Sequence, residues 1–248
     1  MKVSIITTCF NSAATIRDTL ESVSKQSYAA IEHIIIDSQS TDDTLSIVQA
    51  FPHVHKVICE KDKGIYYGMN KGLEYATGDI ICFLNSDDWY AHKDVIKNVV
   101  NIFQSQNAEI VYADLDYVDK KNAQKITRSW RSGNFSKKKM MFGWMPPHPT
   151  FFALSKVYKK VGHYNTAFRT AADYELMLRI LMLNDFKVAY IKEVLVKMRN
   201  GGQSNFSVGR RIYANKEDAK AWVVNGLKPH FLLRYFKPLI KLPQFIFK

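Results

Sequence analysis

Apolar and polar positions alternate along the first 110 residues in two periods. The stretch "KVSIIT" is short and β-branched, and predicts a strand. After Asn11 and Ser12 the apolar residues Ile16, Leu20 and Val23 recur at helical spacing, with Asn11 or Ser12 as the cap. "EHIIID" predicts a second strand. "STDDTLSIVQAF" predicts a helix whose first turn carries acids, where the helix dipole favours them. "HKVICE" predicts a third strand, "GIYYGMNKGLEYAT" a helix closed by Gly78, and "DIICFLN" a fourth strand. Short connections between alternating strands and helices predict a parallel α/β sheet with right-handed crossovers. The continuous apolar run in "HIII" fits a strand covered on both faces.

Beyond residue 115 the pattern loosens. "DKKNAQKITRSWRSGNFSKKKM" is polar and basic and predicts a hairpin or a mobile loop. "MPPHPTFF" holds three prolines, too many for a helix interior. "SKVYKKVG" predicts a short helix ended by Gly162. "AADYELMLRILMLN" predicts a longer one with an apolar stripe through Leu176, Ile180 and Leu183. From about residue 206 the composition changes again. The expected organisation is a domain over 1–205, with a change of pattern near 115, and a basic amphipathic extension over 206–248.

With 248 residues, 47% of them hydrophobic, the chain is long enough for a full core. The net charge of +12 points to anionic partners: nucleotides, nucleic acid or an acidic membrane surface. Cys9, Cys59 and Cys82 are too few and too scattered for a disulfide framework or a zinc motif, and read as buried thiols in a reducing compartment. The N-terminal apolar run is too short and too polar for a signal peptide, and no run reaches the length of a membrane-spanning helix.

The predicted sheet places chemistry at one edge, because ligands of open parallel sheets bind beyond the carboxyl ends of the strands. Thr8, Phe10 and Asn11 follow the first strand. Asp37 ends the second. Asp62 and Lys63 follow the third, and Asp87 and Asp88 follow the fourth. An acidic pair without neighbouring His or Cys suits a hard divalent cation, Mg²⁺ or Mn²⁺, holding a diphosphate. It equally suits the N-cap of the helix predicted in "HKDVIKNVVNIF". Neither a G-x-G-x-x-G nor a P-loop is present, so dinucleotide and P-loop sites are disfavoured. Gly64, Gly68 and Gly72 share one helix face and predict close packing on the sheet rather than a phosphate cradle.

The segments "VSIITTCFNSAATI", "HIIIDSQSTDDT", "EKDKGIYYGMNKGLEYATGDIICFLNSDDWY" and "AADYELMLR" resemble the family 2 glycosyltransferases over roughly residues 2–205, with 60–90 the most specific stretch. The resemblance is to the subgroup of bacterial exopolysaccharide, O-antigen and colanic acid enzymes. It implies the GT-A fold, a Rossmann-like, mostly parallel sheet flanked by helices. It also implies a metal-dependent, inverting transfer from a nucleotide-diphosphate sugar, UDP by default, to a hydroxyl of a glycan or lipid-linked glycan. By position, Asp88 would coordinate the Mn²⁺ or Mg²⁺, with Asp87 near the ribose and metal. Thr8, Phe10 and Asn11 would line the nucleotide, Asp37 would lie in the segment meeting the base, and Asp62 and Lys63 in a loop closing over it. Asp173 would be the catalytic base, and His148 would lie on the acceptor or diphosphate side. Two positions depart from the pattern: Ser38 and Ala172 stand where many members have an acid.

Other readings stay open. Asp173 also suits a first-turn acid on a helix. Trp144 offers a stacking face for a sugar or a packed core ring. "GGQS" at 201–204 reads as a turn. The tail from Lys228 carries five Lys or Arg and no acid, interleaved with Phe and Leu. That suits contact with the inner face of the cytoplasmic membrane, or packing on the domain. Rival functions are a sugar nucleotidyltransferase, although "TTCFNSAAT" lacks the Gly-rich basic loop such enzymes carry, and an inactive glycosyltransferase-like binding protein. A nucleic-acid module is disfavoured, since the basic residues are dispersed and the aromatics lie in apolar runs.

Overall fold

The computed structural model of the chain describes residues 1–201, 208–228 and 243–246. Nine strands form a single sheet. Four of them build a parallel unit: β1 (Val3–Cys9) pairs with β2 (Ile31–Asp37) and with β4 (Ile80–Phe83), and β2 pairs with β3 (Val54–Cys59). Their helices are α1 (Ile16–Ser24), α2 (Thr44–Gln49) and α3 (Ile65–Tyr75). Alternate residues of β1 face opposite layers: Val3 and Ile5 pack in the cluster with Val99, and Ile6 in the cluster with Met69 and Leu73. A Cβ on Gly72 would collide with the Ile6 methyl, and one on Gly68 would come within 3.2 Å of both Thr8 and Asp62. Gly68 and Gly72 therefore set how closely α3 approaches the sheet, as their spacing predicted, whereas Gly64 is the N-cap at φ 150° and a Cβ there would meet nothing.

Past β4 the sheet becomes mixed. β8 (Phe152–Leu154) pairs antiparallel with β4 and with β6 (Ile110–Val118). The basic segment forms a hairpin, in which β7 (Ile126–Trp130) returns antiparallel to β6. β9 (Val188–Arg199) runs parallel to β6 and carries β5 (Asp88–Tyr90) on its other edge. The sheet is continuous across residue 115, which lies inside β6. The twelve-residue β9 has no counterpart in the sequence reading. Its exposures alternate poorly, because it is covered unevenly on its two faces.

The remaining helices are α4 (Val95–Gln106), α5 (Lys137–Met141), α6 (Ser155–Val161), α7 (Ala172–Leu183), α8 (Val208–Val224) and α9 (Pro243–Ile246). α6 stops at Gly162 with φ 85°, a conformation glycine adopts without steric cost. α7 is buried nearly all round. Of its predicted stripe, Leu176 and Ile180 enter the core, whereas Leu183, in the last turn, is 49% exposed. Cys9 and Cys82 are buried as expected, but Cys59 is exposed at the sheet's end. All three are free thiols.

The tail reading over 228–248 falls mostly outside the described residues. Within them, α9 docks on the β7 hairpin. Arg128 Nε donates to Gln244 Oε1 at 2.7 Å, and its guanidinium lies over the rings of Tyr117, Trp130 and Phe245. Of the "GGQS" turn, only Gly201 is described. Among the described residues no helix is long and apolar enough to cross a membrane.

Candidate active site

Parallel register brings Cys9, Asp37 and Cys59 side by side at the carboxyl end of the first three strands. Asp37 is fully buried and heavily used. It accepts from Ser40 N at 2.9 Å, Ser40 Oγ at 2.5 Å, Cys9 Sγ at 3.5 Å and Cys59 Sγ at 3.2 Å. Its carboxylate thus orders the loop after β2 from within. That loop is stitched to the one after β1. Asn11 Oδ1 accepts from Thr41 N at 2.9 Å, Thr44 Oγ1 accepts from Ser12 N at 2.7 Å, and Asp42 Oδ2 accepts from Ala13 N at 3.0 Å. Asn11 and Gln39 both take positive φ, 48° and 59°, so the two rim loops hold strained backbone beside each other.

Phe10, on this rim, is 57% exposed and offers an apolar face to a ligand. The Thr8 hydroxyl is buried without a partner. Asp62 is held from two sides. Ser38 Oγ accepts its backbone amide at 2.9 Å, and Lys71 of α3 pairs with its carboxylate at 2.9 Å and with Glu60 at 2.9 Å. Ser38, one of the two departures noted above, thus ties the second rim loop to the third. Lys63 is exposed and makes no ion pair among the described residues.

The acidic pair is not a helix cap. α4 begins seven residues after Asp88 with Asp94 at its N-cap, and Asp88 instead opens β5 against Met198. Asp88 is fully buried. Asn85 Nδ2 donates to its Oδ2 at 2.9 Å, while Oδ1 has no partner. Burial, and then the neighbouring Asp87, push the Asp88 carboxyl well above the ordinary carboxylate range. Burial also raises Asp87, and Arg199 of β9 opposes the rise in both. Arg199 lies over the Trp89 ring at 4.5 Å and pairs with Asp18. The preceding Ser86 shares a hydrogen bond with Ser12 at 2.9 Å, which ties this loop to the first. A buried carboxylate oxygen with no partner, next to a second carboxylate, is a costly arrangement that a divalent cation would relieve. Among the described residues no group of three or more metal-ligating side chains forms a cage. Two carboxylates fit a magnesium-type ion that takes its other ligands from water and substrate phosphates.

Asp173 sits in the first turn of α7 and accepts from Tyr66 Oη at 3.1 Å. His148 lies in the same cluster, with Nε2 2.7 Å from Tyr164 Oη and its ring stacked on Phe83 at 5.6 Å. Burial lowers the His148 pKa and the Asp173 charge partly restores it, so the two side chains share one environment. Tyr117 on β6 feels both Asp88 and Asp173. Burial raises its hydroxyl, Arg128 opposes, and both Asp88 and Asp173 add to the rise.

Trp144 is not presented to solvent. It is 8% exposed, donates Nε1 to Ser132 O at 2.8 Å and meets Tyr112 edge-on at 5.8 Å, so its ring is a core element and the stacking-face reading gives way. Ala172 is fully buried, so the position where many members carry an acid faces the core.

Residues 4–169 match the family described as Glycosyl transferase family 2. The chain belongs to that family. It is 27% identical over 213 residues to a PGL/p-HBAD biosynthesis glycosyltransferase of Mycobacterium tuberculosis, covering 84% of this chain and 80% of the relative. An uncharacterized glycosyltransferase of the same species is 32% identical over 186 residues, covering 73% and 69%. Among solved structures, Staphylococcus aureus TarS 1–349 in complex with UDP-GlcNAc superposes with a TM-score of 0.71 at 17% identity, over 90% of this chain and 65% of that one. A Pyrobaculum calidifontis mannosyltransferase in complex with GDP-Man and Mn²⁺ gives 0.68 at 17% identity, over 98% and 70%. These likenesses show the GT-A fold, with its mixed sheet and flanking helices. This glycosyltransferase spans about two thirds of the TarS chain.

Several members of the site were not legible in the sequence. Asn85 and Tyr66 lie inside the quoted motifs, but nothing in their spacing marks them as partners of Asp88 and Asp173. Lys71 is the seventh residue of α3, and nothing in its spacing marks it as the partner of Asp62. Arg199 ends a strand whose pattern was not recognised.

Proposed function

We propose that this glycosyltransferase transfers a sugar, with inversion, from a nucleotide-diphosphate sugar to a hydroxyl of a glycan or lipid-linked glycan in bacterial surface polysaccharide synthesis. The observation that carries the reading is the unpartnered, buried Asp88 oxygen beside Asp87, with Tyr117 in electrostatic reach of both Asp88 and Asp173. Asp88 and Asp87 would hold Mn²⁺ or Mg²⁺. When bound, such an ion supplies positive charge against the charge that grows on the leaving diphosphate. Phe10, Thr8 and Asn11 would line the nucleotide, with Asp37 and Asp62 shaping the loops around it and Lys63 free to meet a phosphate. The TarS and mannosyltransferase complexes hold UDP-GlcNAc and GDP-Man, and UDP is the nucleotide proposed here.

Asp173 would accept the proton of the acceptor hydroxyl. That oxygen forms its bond to the anomeric carbon as the carbon–oxygen bond to the diphosphate breaks, and the electron pair leaves with the diphosphate. A single displacement needs one base and inverts the anomeric centre. His148 borders the same space and would contact the acceptor or the diphosphate. The basic 228–248 segment would bring the enzyme to the inner face of the membrane, where lipid-linked acceptors reside.

Calorimetric titration of UDP and GDP, each with and without Mn²⁺, into wild type and Asp88→Ala tests the donor side. Metal-dependent UDP binding that the substitution removes is the expected result. A folded wild type that binds neither nucleotide would overturn the reading. Flotation with anionic liposomes, with and without residues 228–248, tests the membrane contact, and equal binding by both chains would remove it.

A further inference from the structure

We propose that Tyr66 is a positioning residue for Asp173: its hydroxyl fixes one carboxylate oxygen and leaves the other to meet an acceptor hydroxyl. The inference rests on reading Asp173 as the base.

The observation is the hydrogen bond from Tyr66 Oη to Asp173 Oδ1 at 3.1 Å, made between α3 and α7 across 107 positions of sequence. Among the described residues Asp173 Oδ2 carries no hydrogen bond, so one oxygen is fixed and the other is left for an acceptor hydroxyl. The N-cap of α7 is Ala171, which makes no side-chain cap, so no side chain at the start of the helix itself steadies Asp173.

The ring that carries this hydroxyl is itself held rigidly. Tyr66 is buried and stacks on Tyr164 at 5.7 Å and 22°. Asn70, one turn further along α3, clamps the Tyr164 backbone from both sides: its Nδ2 donates to Tyr164 O at 2.9 Å, and its Oδ1 accepts from Tyr164 N at 2.8 Å. Tyr164 in turn meets His148. A single face of α3 therefore sets the position of Tyr66 and, through Tyr164, of His148. Burial and the adjacent carboxylate raise the Tyr66 phenol well above its ordinary range, so its proton stays on the oxygen and remains available to Asp173. A reactive carboxylate held in one orientation loses less freedom on reaching the transition state.

The test is the release of nucleoside diphosphate from UDP-N-acetylglucosamine and GDP-mannose, with water as acceptor. It compares wild type, Tyr66→Phe, Asp173→Asn and the double variant. Tyr66→Phe deletes one oxygen and keeps the stacked ring, and a melting curve on each variant confirms folding. The expected result is a kcat for Tyr66→Phe lower by about tenfold with the donor KM unchanged, and a double variant no slower than Asp173→Asn alone, as residues acting as a unit behave. An unchanged kcat in Tyr66→Phe, with Asp173→Asn inactive, would overturn the positioning role and leave the base in place. An equal further loss in the Asp173→Asn background would assign Tyr66 a separate role and overturn the proposal too. Full activity in Asp173→Asn would remove the base and the proposal together.

Discussion

Glu217 of α8 accepts the backbone amides of two consecutive residues, Arg169 at 2.8 Å and Thr170 at 2.7 Å, and the Thr170 hydroxyl at 2.7 Å. The loop entering α7, which carries Asp173, is thus held by a helix that follows it in sequence. Trp222 of α8 adds a hydrogen bond to Tyr174 Oη at 2.8 Å. Glu217→Ala removes the acceptor of two part-buried amides. The expected cost is about 1–3 kcal/mol of stability, because water reaches these groups and replaces part of each bond. Chemical denaturation measures it, and hydrogen exchange should quicken first in residues 169–173.

The acidic pair makes a second prediction, in the absence of ligand. Asp88 is buried with one oxygen unpartnered and Asp87 beside it. Asp88→Asn keeps the shape and removes the buried charge. The metal-free variant should therefore melt above wild type, by about 2–4 °C for each ~1 kcal/mol relieved, while losing metal-dependent nucleotide binding. A thermal shift series with and without Mn²⁺ and UDP checks both signs. A variant that melts lower and still responds to Mn²⁺ would separate Asp88 from the metal.

Gly72 sets the distance between α3 and the sheet, because a methyl group at this position would run into Ile6. Gly72→Ala gains helix propensity but overpacks the core. The overpacking term, about 1–3 kcal/mol, exceeds the ~1 kcal/mol propensity gain. Net destabilisation is expected. Ile6→Val in the same chain should recover part of it, which a pair of denaturation curves would show.

Acid sensitivity should originate far from the site. Burial, with His53 alongside, pushes the His33 imidazolium down to about 3. The unfolded chain takes up that proton near 6.5, so between about 6.5 and 3 the unfolded state binds more protons. The stability from neutral His33 is complete above about 6.5 and is lost as the pH falls, at up to ~1.4 kcal/mol per pH unit. For Glu32 burial alone would raise the carboxyl, but hydrogen bonds from Lys2, Ser4 and Thr77 overcome it and bring it to about 2. Its contribution is complete above the ordinary value near 4.5 and is lost between there and about 2. His33→Asn should remove the His33 share of the slope between pH 6.5 and about 3 and leave the Glu32 loss between about 4.5 and 2. Denaturation midpoints across that range would show this.

The first four strands, their helices and the acidic rim were legible in the sequence because each depends on local pattern. β-branched runs, helical spacing and short connections dictate a parallel unit, and a parallel unit necessarily brings the residues after each strand to one edge. The glycine face of α3 was legible for the same reason, since a spacing of four puts its members on one side of a helix. Tertiary structure decided what pairing between distant segments decides. β9 reaches the sheet between β6 and β5, and so makes Asp88 the start of a strand rather than a helix cap. Trp144 is closed into the core by Tyr112 and Ser132, contacts its local sequence does not announce. Tyr66 meets Asp173 only because α3 and α7 pack against the same layer. Local pattern chooses the elements and the edge at which polar groups gather. Which of those groups are buried, orphaned or paired depends on desolvation and on partners far along the chain, and only the folded arrangement determines these.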